Sequence, residues 1–300
     1  MMKKVVVIGG SVIDLFLYPH QKMKLHDSNP GYMKRAFGGV GRNIAENLVR
    51  CGVDTTLITV LGKDPWGQEI YENARDLGMC INYFEVKETP LYISVIHESG
   101  EDLVSVALMD EIEKLDKERL ASRDVYIEPA DFIVIDTNMS EETLNYILHT
   151  SKVPVFVDTI SSQKAIRIKQ NLKYIHLLKM NLMEAEALSR LNLKDGKTLD
   201  EIGLYFINEG VKEVIITLGS EGIFYQSKER KELKKPFQTQ IKNTTGAGDA
   251  LFAGVIFAKI HGLDPVHTGL AAAAINVQSE DAVSMEMNKQ NLLKMMEEHA

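Results

Sequence analysis

Short apolar, β-branched runs alternate with helical stretches over most of the chain, and this alternation constrains the fold more than any other feature. The runs lie at 3–8, 55–61, 132–135, 153–157 and 214–218. A continuous run of this kind is typical of a strand that is buried on both faces of a parallel sheet. The alternation predicts an α/β fold, a doubly wound and mostly parallel sheet flanked by helices, in a single domain over residues 1–300.

Two segments, at about 15–37 and 81–108, do not follow this alternation. In the second segment apolar and polar residues alternate, and a polar turn at 98–102 separates two of its strands, which is typical of a hairpin. The two segments predict a small appended β-sheet, which could close over a ligand as a lid or pair with the same sheet of a second copy. The charged stretch at 111–123 that follows is expected to be helical.

The composition narrows the classes of function. The 300 residues carry a formal net charge of -8, which argues against a nucleic-acid backbone or an anionic membrane as the main partner. The apolar run at 5–8 is too short for a signal or membrane-spanning segment. An enzyme or a small-molecule binding protein of the cytoplasm is the expected class.

The stretch at 243–254, Asn-Thr-Thr-Gly-Ala-Gly-Asp-Ala-Leu-Phe-Ala-Gly, predicts a glycine turn that opens a buried helix. Gly246, Ala247 and Gly248 carry little or no side chain, so their backbone N–H groups could approach an anion closely. Asp249 would lie in the first helical turn, where it could accept the proton of a substrate hydroxyl during phosphoryl transfer. The alternative is an ordinary glycine turn followed by an acid that stabilises the helix start.

A second group of polar and glycine residues predicts a sugar site. Asp14 follows the first strand, and Gly38 and Gly39 precede a helix whose first turn contains Asn43. Open α/β sheets bind ligands at such positions. A carboxylate and an amide could hold neighbouring hydroxyl groups. Alternatively, Asp14 is a loop acid and Asn43 a helix cap.

Asn181 and Glu184 form a third candidate pair. They lie three residues apart, so they share one helical face and could hold hydrated Mg²⁺ near phosphates. The same spacing is typical of a helix cap with its first-turn acid. The sequence contains neither a Walker A motif nor the HRD and DFG motifs of protein kinases, so a phosphotransferase would belong to another lineage.

Four motifs in this order resemble the PfkB, or ribokinase-like, family of carbohydrate kinases over nearly the whole chain. They are Gly38-Gly39 with Asn43, Lys179-x-Asn181-x-x-Glu184, Thr217-x-Gly219-x-x-Gly222 and Thr245-Gly246-Ala247-Gly248-Asp249. The resemblance implies a ribokinase-like fold with a β-sheet lid, and ATP and Mg²⁺ as cofactors.

The resemblance also implies a role for each matching residue. Asp249 would be the catalytic base, and the turn before it the anion hole. The sugar would be bound by Asp14, Gly38, Gly39 and Asn43. The nucleotide would be bound by Asn181, Thr217, Gly219, Gly222 and Asn276, and Glu184 would serve Mg²⁺ through water.

Within this family the chain is most similar to the pseudouridine kinases, on the stretches 38–48, 157–161 with Lys164, 176–179 and 243–245. This likeness implies ATP-dependent phosphorylation of the 5′-hydroxyl of pseudouridine. A kinase for ribose, another nucleoside or a keto-sugar is the alternative, and a non-catalytic sugar or nucleoside sensor is the second. A homodimer through the lid strands is also implied.

Two residues depart from the family pattern. Met180 stands where many members have proline, which would change the stiffness of the loop more than the chemistry. Asn243 stands where ribokinases have an aspartate that helps to bind a monovalent cation, so the resemblance leaves potassium activation open.

Overall fold

The computed structural model describes residues 3–97 and 102–300. Its strands are β1 (Lys4–Ile8), β2 (Val12–Pro19), β3 (Gly31–Gly38), β4 (Asp54–Gly62), β5 (Cys80–Val86), β6 (Leu91–Ile96), β7 (Asp102–Leu108), β8 (Phe132–Asp136), β9 (Val155–Asp158), β10 (Leu177–Asn181), β11 (Glu213–Thr217), β12 (Ile223–Ser227) and β13 (Lys231–Lys234). Its α-helices are α1 (Val40–Arg50), α2 (Pro65–Asp76), α3 (Lys117–Ala121), α4 (Asp124–Ile127), α5 (Glu141–Thr150), α6 (Ser162–Ala165), α7 (Leu182–Ser189), α8 (Leu199–Asn208), α9 (Ala247–His261), α10 (Pro265–Val277) and α11 (Lys289–Glu298).

Nine strands form the large sheet, in the order β13-β12-β11-β10-β9-β8-β1-β4-β5. Neighbouring strands are parallel from β11 to β5, and the β12 and β13 pairings at the other edge are antiparallel. Because β1 lies between β8 and β4, the chain winds outward from the middle of the sheet in both directions. The predicted doubly wound, mostly parallel sheet is confirmed.

Helices cover both faces of the large sheet because its strands are apolar on both sides. In β1, Val6 and Ile8 pack into one core cluster with residues of α5, α7 and α8. Val5 and Val7 point the other way and pack with residues of α1, α9, α10 and α11. All four valine and isoleucine side chains are fully buried. This explains the continuous apolar run that the sequence shows at 3–8.

The small sheet has the strand order β3-β2-β6-β7. The chain enters and leaves it at the carboxyl edge of the large sheet, for example from β1 directly into β2. Its outer strand β7 exposes about half of several apolar side chains, including Leu103, Val104 and Val106. Pairing of this lid with a second copy stays a prediction.

Three details differ from the sequence-based expectation or fall outside the described residues. The strand β5, expected in the small sheet, pairs with β4 at the edge of the large one. The expected helix at 111–123 is divided into a 3-10 turn (Asp110–Lys114) and the short helices α3 and α4, because Asp116 caps a new helix start there. The turn predicted at 98–102 lies outside the described residues except for Asp102.

No helix in residues 3–97 and 102–300 combines the length and the apolar character that a membrane crossing requires.

Candidate active site

A glycine turn at the start of α9 is held in place by close packing. Gly246 has a φ of 73°, and a β-carbon at this position would lie 1.9 Å from the carbonyl oxygen of Ala282, so only glycine fits. A β-carbon on Gly248 would lie 3.0 Å from the Nζ atom of Lys179. The turn therefore sets the first amides of a fifteen-residue helix beside a buried ammonium group, which is a favourable place for an anion.

Asp249 lies in the first turn of α9 and is buried. Its Oδ2 atom accepts a hydrogen bond of 2.9 Å from the Nδ2 atom of Asn43, which lies in the first turn of α1. Burial raises the pKa of Asp249 to about 7, and the charge of Asp158 adds to this, while Lys179 and Asn43 oppose it. A carboxylate with such a pKa can exchange a proton with a hydroxyl at neutral pH.

A buried ion pair lies beneath this carboxylate. The Nζ atom of Lys179, on β10, is 2.8 Å from the Oδ2 atom of Asp158 at the end of β9. Burial alone would lower the pKa of Lys179, but Asp158, Asp249 and Glu184 together raise it above its ordinary value. Lys179 therefore stays charged and supplies the positive potential next to Gly248.

The residues predicted to bind the sugar lie around the start of α1. The carboxylate of Asp14 lies so close to Gly38 that a β-carbon there would be 2.1 Å from it. Gly39 has a φ of 95°, and a β-carbon there would meet the carbonyl oxygen of Gly10 at 2.4 Å. Burial raises the pKa of Asp14 to about 7, and the charge of Arg42 opposes the rise. The structure thus gathers Asp14, Gly38, Gly39 and Asn43 at one edge, next to Asp249.

Sequence reasoning missed Asp136, which holds this edge together. This fully buried residue accepts hydrogen bonds from the amides of Gly10 (2.8 Å) and Gly41 (3.1 Å) through Oδ2. Its Oδ1 atom accepts a third from the amide of Asn138 (3.0 Å). Asp136 directly follows the apolar run at 132–135, so its position at a carboxyl strand end was a signal that could have identified it.

A cavity of about 450 Å³ opens on the other side of the glycine turn. Thr217, Gly219 and Gly222, which were predicted to bind the nucleotide, line it together with Ala247 and Gly248. The remaining wall includes apolar side chains such as those of Ile223, Phe237, Leu251 and Leu270. Its volume and largely apolar wall are typical of a small-molecule site, and it adjoins the glycine turn through Ala247 and Gly248.

Asn276, also predicted to bind the nucleotide, does not line this cavity. Its side chain is fully buried. The Nδ2 atom donates to the carbonyl oxygen of Thr245 (3.1 Å), and the Oδ1 atom accepts from the amide of Ser284 (3.1 Å). The side chain of Asn276 therefore supports the glycine turn through Thr245, and a direct contact with the nucleotide stays a prediction.

The residues proposed for Mg²⁺ form a capping box in this structure. Asn181 and Glu184 exchange side-chain-to-backbone hydrogen bonds at the start of α7. The carboxylate of Glu184 also accepts from the hydroxyl of Thr159 (2.7 Å), and it is buried. Both of its oxygens are engaged, so direct coordination of a metal does not fit, and a role through water remains the prediction. Within the described ranges, no three His, Cys, Asp or Glu residues cluster as metal ligands. Asn181 does line a second cavity, which shares Thr217 with the first.

At Asn243, where the family resemblance places a monovalent cation in ribokinases, this chain has an amide donor. The Nδ2 atom of Asn243 donates a hydrogen bond of 2.8 Å to the carbonyl oxygen of Glu280, and its Oδ1 atom accepts one of 2.9 Å from the amide of Thr245. A cation would need acceptors that are directed toward it. The residues present do not fit a bound monovalent cation here.

Comparison with known proteins identifies the family. The sequence profile described as the pfkB family carbohydrate kinases matches residues 2–289. The chain belongs to this family.

Two curated relatives and one solved structure show how this PfkB kinase compares with others. It is 32% identical to a pseudouridine kinase of Escherichia coli strain K12 over 98% of this chain and 96% of the relative. It is 26% identical to a ribokinase of Staphylococcus aureus strain COL over 94% and 96% of the two chains. A ribokinase structure from Thermotoga maritima superposes with a TM-score of 0.88 over 99% of this chain and 100% of the other, at 24% identity, and supports the fold.

Membership of the PfkB family indicates which reaction the protein catalyses. The protein is a kinase of the family that acts on sugars or nucleosides with ATP. Two surfaces meet at the glycine turn, the cavity lined by Thr217 and the edge with Asp14 and Asn43. The assignment of the nucleotide to the first and of the phosphoryl acceptor to the second stays a prediction.

Proposed function

We propose that this PfkB kinase transfers the γ-phosphoryl group of ATP to the 5′-hydroxyl of pseudouridine. The observation that carries the proposal is the buried Asp249–Asn43 contact at the mouth of the glycine turn, where an acceptor hydroxyl would meet the phosphoryl group. The 32% identity to a pseudouridine kinase over nearly the whole chain supports this choice of acceptor.

Asp249 acts as the general base in this proposal. Its pKa, raised to about 7 by burial, lets it accept the proton of the hydroxyl as the bond to phosphorus forms. Asn43 keeps one carboxylate oxygen in place through its hydrogen bond. The proton thus moves from the acceptor oxygen to Asp249 while the phosphoryl group leaves ADP.

The glycine turn and Lys179 stabilise the charge of the transferring group. The first amides of α9 point toward the phosphates, and the ammonium of Lys179 lies directly behind Gly248. Mg²⁺ bound with ATP supplies further positive charge to the phosphates, and water-mediated contacts to Asn181 and Glu184 would hold it on the nucleotide side.

The sugar ring of the acceptor is held by the residues at the start of α1. The carboxylate of Asp14 accepts from sugar hydroxyls, and the backbone at Gly38 and Gly39 lets the ring approach closely. Closure of the small sheet excludes water, which would otherwise compete as an acceptor.

Ribose is the second candidate acceptor. A ribokinase at 26% identity over most of the chain favours it, and Asp14, Asn43 and Asp249 would serve it in the same way. The two candidates differ only in the group attached to the sugar.

Steady-state kinetics with pseudouridine, uridine and ribose at saturating ATP tests the proposal. Uridine is the matched control, since it differs from pseudouridine only in the glycosidic bond. We expect kcat/KM for pseudouridine to exceed that for either other acceptor by at least about 100-fold, since a site that hydrogen-bonds a base edge rejects acceptors that lack this edge. An equal or higher value with ribose would replace pseudouridine by ribose as the acceptor.

A further inference from the structure

One arginine is almost completely buried between the lid and the two helices next to it. Only 2% of Arg42 is exposed. Its guanidinium donates to Glu46 on α1 (2.7 Å) and to Asn73 on α2 (2.5 Å). Its Cζ atom lies 5.0 Å from the ring centroid of Phe37, which belongs to the lid strand β3. One side chain therefore links α1, α2 and the small sheet.

The charges around Arg42 leave one positive charge without a partner on its own helix. Glu46 pairs with both Arg42 and Arg50, at 2.7 Å in each case. The charge of a second carboxylate, Asp14 on the lid strand β2, also acts on Arg42, without a hydrogen bond between the two side chains. The contacts from α2 and β3 are the neutral side chains of Asn73 and Phe37. The cluster is neutral only when Asp14 is ionised.

Arg42 also determines which way the amide of Asn43 points. Its Nη1 atom lies 3.4 Å from the Oδ1 atom of Asn43. A guanidinium only donates, so the oxygen of the amide faces Arg42 and the NH₂ group faces Asp249. In the opposite orientation the NH₂ group of Asn43 would face the guanidinium of Arg42, which is also a donor. The amide oxygen would then face the carboxylate of Asp249, which is also an acceptor.

We propose that Arg42 is a positioning residue of the acceptor site, which turns the amide of Asn43 toward Asp249 and favours the ionised form of Asp14. The inference rests on the proposed roles of Asp14 and Asn43 in binding the acceptor. Arg42 itself does not contact the substrate. It acts by its charge on one side of the site and by its hydrogen bond on the other.

Arg42→Met tests this, with Arg50→Met as the matched control because both arginines pair with Glu46. Kinetics use the acceptor that gives the wild type its highest kcat/KM, so the identity of the sugar does not affect the result. For Arg42→Met we expect the acceptor KM to rise at least about 10-fold and the ATP KM to change less than about 2-fold. For Arg50→Met both constants should stay within about 2-fold of the wild type.

The pH profile gives a readout that a purely structural role would not move. Arg42 opposes the rise in the pKa of Asp14 to about 7, so its removal raises that pKa further. The acid limb of kcat/KM contains the titrations of both Asp249 and Asp14. The neutral form of Asp14 persists to higher pH in Arg42→Met, so this limb moves upward by at least about half a pH unit. An acid limb and an acceptor KM equal to those of Arg50→Met would overturn the proposal.

Two further variants keep the test decisive. Arg42→Lys retains the charge without the planar fork, so its acid limb should stay at the wild-type pH even if Arg42→Met fails to fold; an upward shift in folded Arg42→Lys would contradict the proposal.

Asp14→Asn should raise the acceptor KM. If it does not, Asp14 is not in the acceptor site and the proposed function fails; if it does and the Arg42 variants behave as the wild type, only the inference about Arg42 fails.

Discussion

Asp249 is the residue whose chemistry the fold controls most directly. Replacing it with asparagine keeps the shape and the contact with Asn43 but removes the base. We expect turnover to fall by about 10²–10⁴-fold while the ATP KM changes little, since the cavity that is proposed to bind the nucleotide is lined by other residues. Steady-state kinetics of D249N checks this, and Asp200→Asn, an exposed acid, is the control. Turnover near the wild-type value would remove Asp249 from the role of base.

The hydrogen bonds of Asn243 lead to a prediction about the dependence of kcat on potassium. Its amide already joins Thr245 to the carbonyl of Glu280, so we expect kcat to be the same within about 2-fold in potassium and in tetramethylammonium chloride at equal ionic strength. Asn243→Asp would direct a carboxylate at that carbonyl, and a cation would be needed between them. We therefore expect this variant to lose activity without potassium and to regain it with potassium. Strong potassium activation of the wild type would contradict this interpretation.

Part of the site could be predicted from single positions in the sequence. Asp14 and Asn43 follow a strand or open a helix, and Asp249 follows a glycine turn, so local pattern was enough to make them candidates, and the family resemblance then favoured a functional role. Asp136 was missed because its role depends on Gly10, which lies 126 residues away and is brought beside it only by the pairing of β1 with β8. The orientation of Asn276 away from the cavity likewise depends on packing that no local pattern records.

Among the secondary-structure elements, β11, β12 and α9 are joined by the side chain of Glu213. It begins β11, accepts from the hydroxyl of Tyr225 on β12 (2.7 Å) and pairs with Lys259 near the end of α9. Burial by itself would raise the pKa of Glu213, but hydrogen bonds from His176, Lys259 and Tyr225 outweigh it and lower the pKa to about 2. Helix α9 is therefore anchored to the sheet at the end opposite to its glycine turn.

Glu213→Gln should destabilise the fold by about 1–3 kcal/mol at pH 7, because it removes charge-assisted hydrogen bonds from a mostly buried position. The folded-state pKa lies below the ordinary value of 4.5, so this stabilisation is present above pH 4.5 and is lost as the pH falls toward 2. Urea unfolding of the wild type and of Glu213→Gln at pH 7 and near pH 3 measures the loss of stability at each pH. Asp200→Asn, which breaks the exposed pair with Lys231, should have little effect. An equal loss at both pH values would contradict the assignment.

The sequence predicted most elements of the large sheet because their apolar runs are short and bounded by glycine, aspartate or a helix start. The error at β5 has a physical reason. Alternation of apolar and polar residues identifies a strand that has one covered face. Both a strand of the lid and a strand at the edge of the large sheet can show this pattern. The sheet that a strand joins is decided by long-range pairing, here with β4. The length of the helix predicted at 111–123 was overestimated, because its charged residues suit either one long helix or several short ones.

For the molecule as a whole, the position of the lid can be followed through its single tryptophan. Trp66, on α2, packs into a small cluster with Ile13 of the lid, and the guanidinium of Arg35 on β3 lies 5.5 Å from its ring centroid. Arg35 also pairs with Glu69 on α2 at 2.7 Å. Movement of the small sheet relative to the large one therefore changes the surroundings of Trp66.

We expect acceptor binding without ATP to change the tryptophan emission in a saturable way. Arg35→Ala should reduce this change while it leaves kcat within about 3-fold, since the exposed pair with Glu69 adds little stability. Fluorescence titration, compared with calorimetric binding of the same acceptor, checks both statements. Binding with no change in emission would show that the lid stays where it is relative to α2.

The hydrogen bond between Asn43 and Asp249 joins residues that are 206 positions apart. Closing so long a loop is entropically costly, and it becomes favourable only once the strands and helices between the two residues have formed. A chain that ends before α9 lacks the base, and it also lacks α9, α10 and α11, which cover one face of the large sheet. We therefore expect catalytic competence to arise only after the last part of the chain has packed onto that sheet.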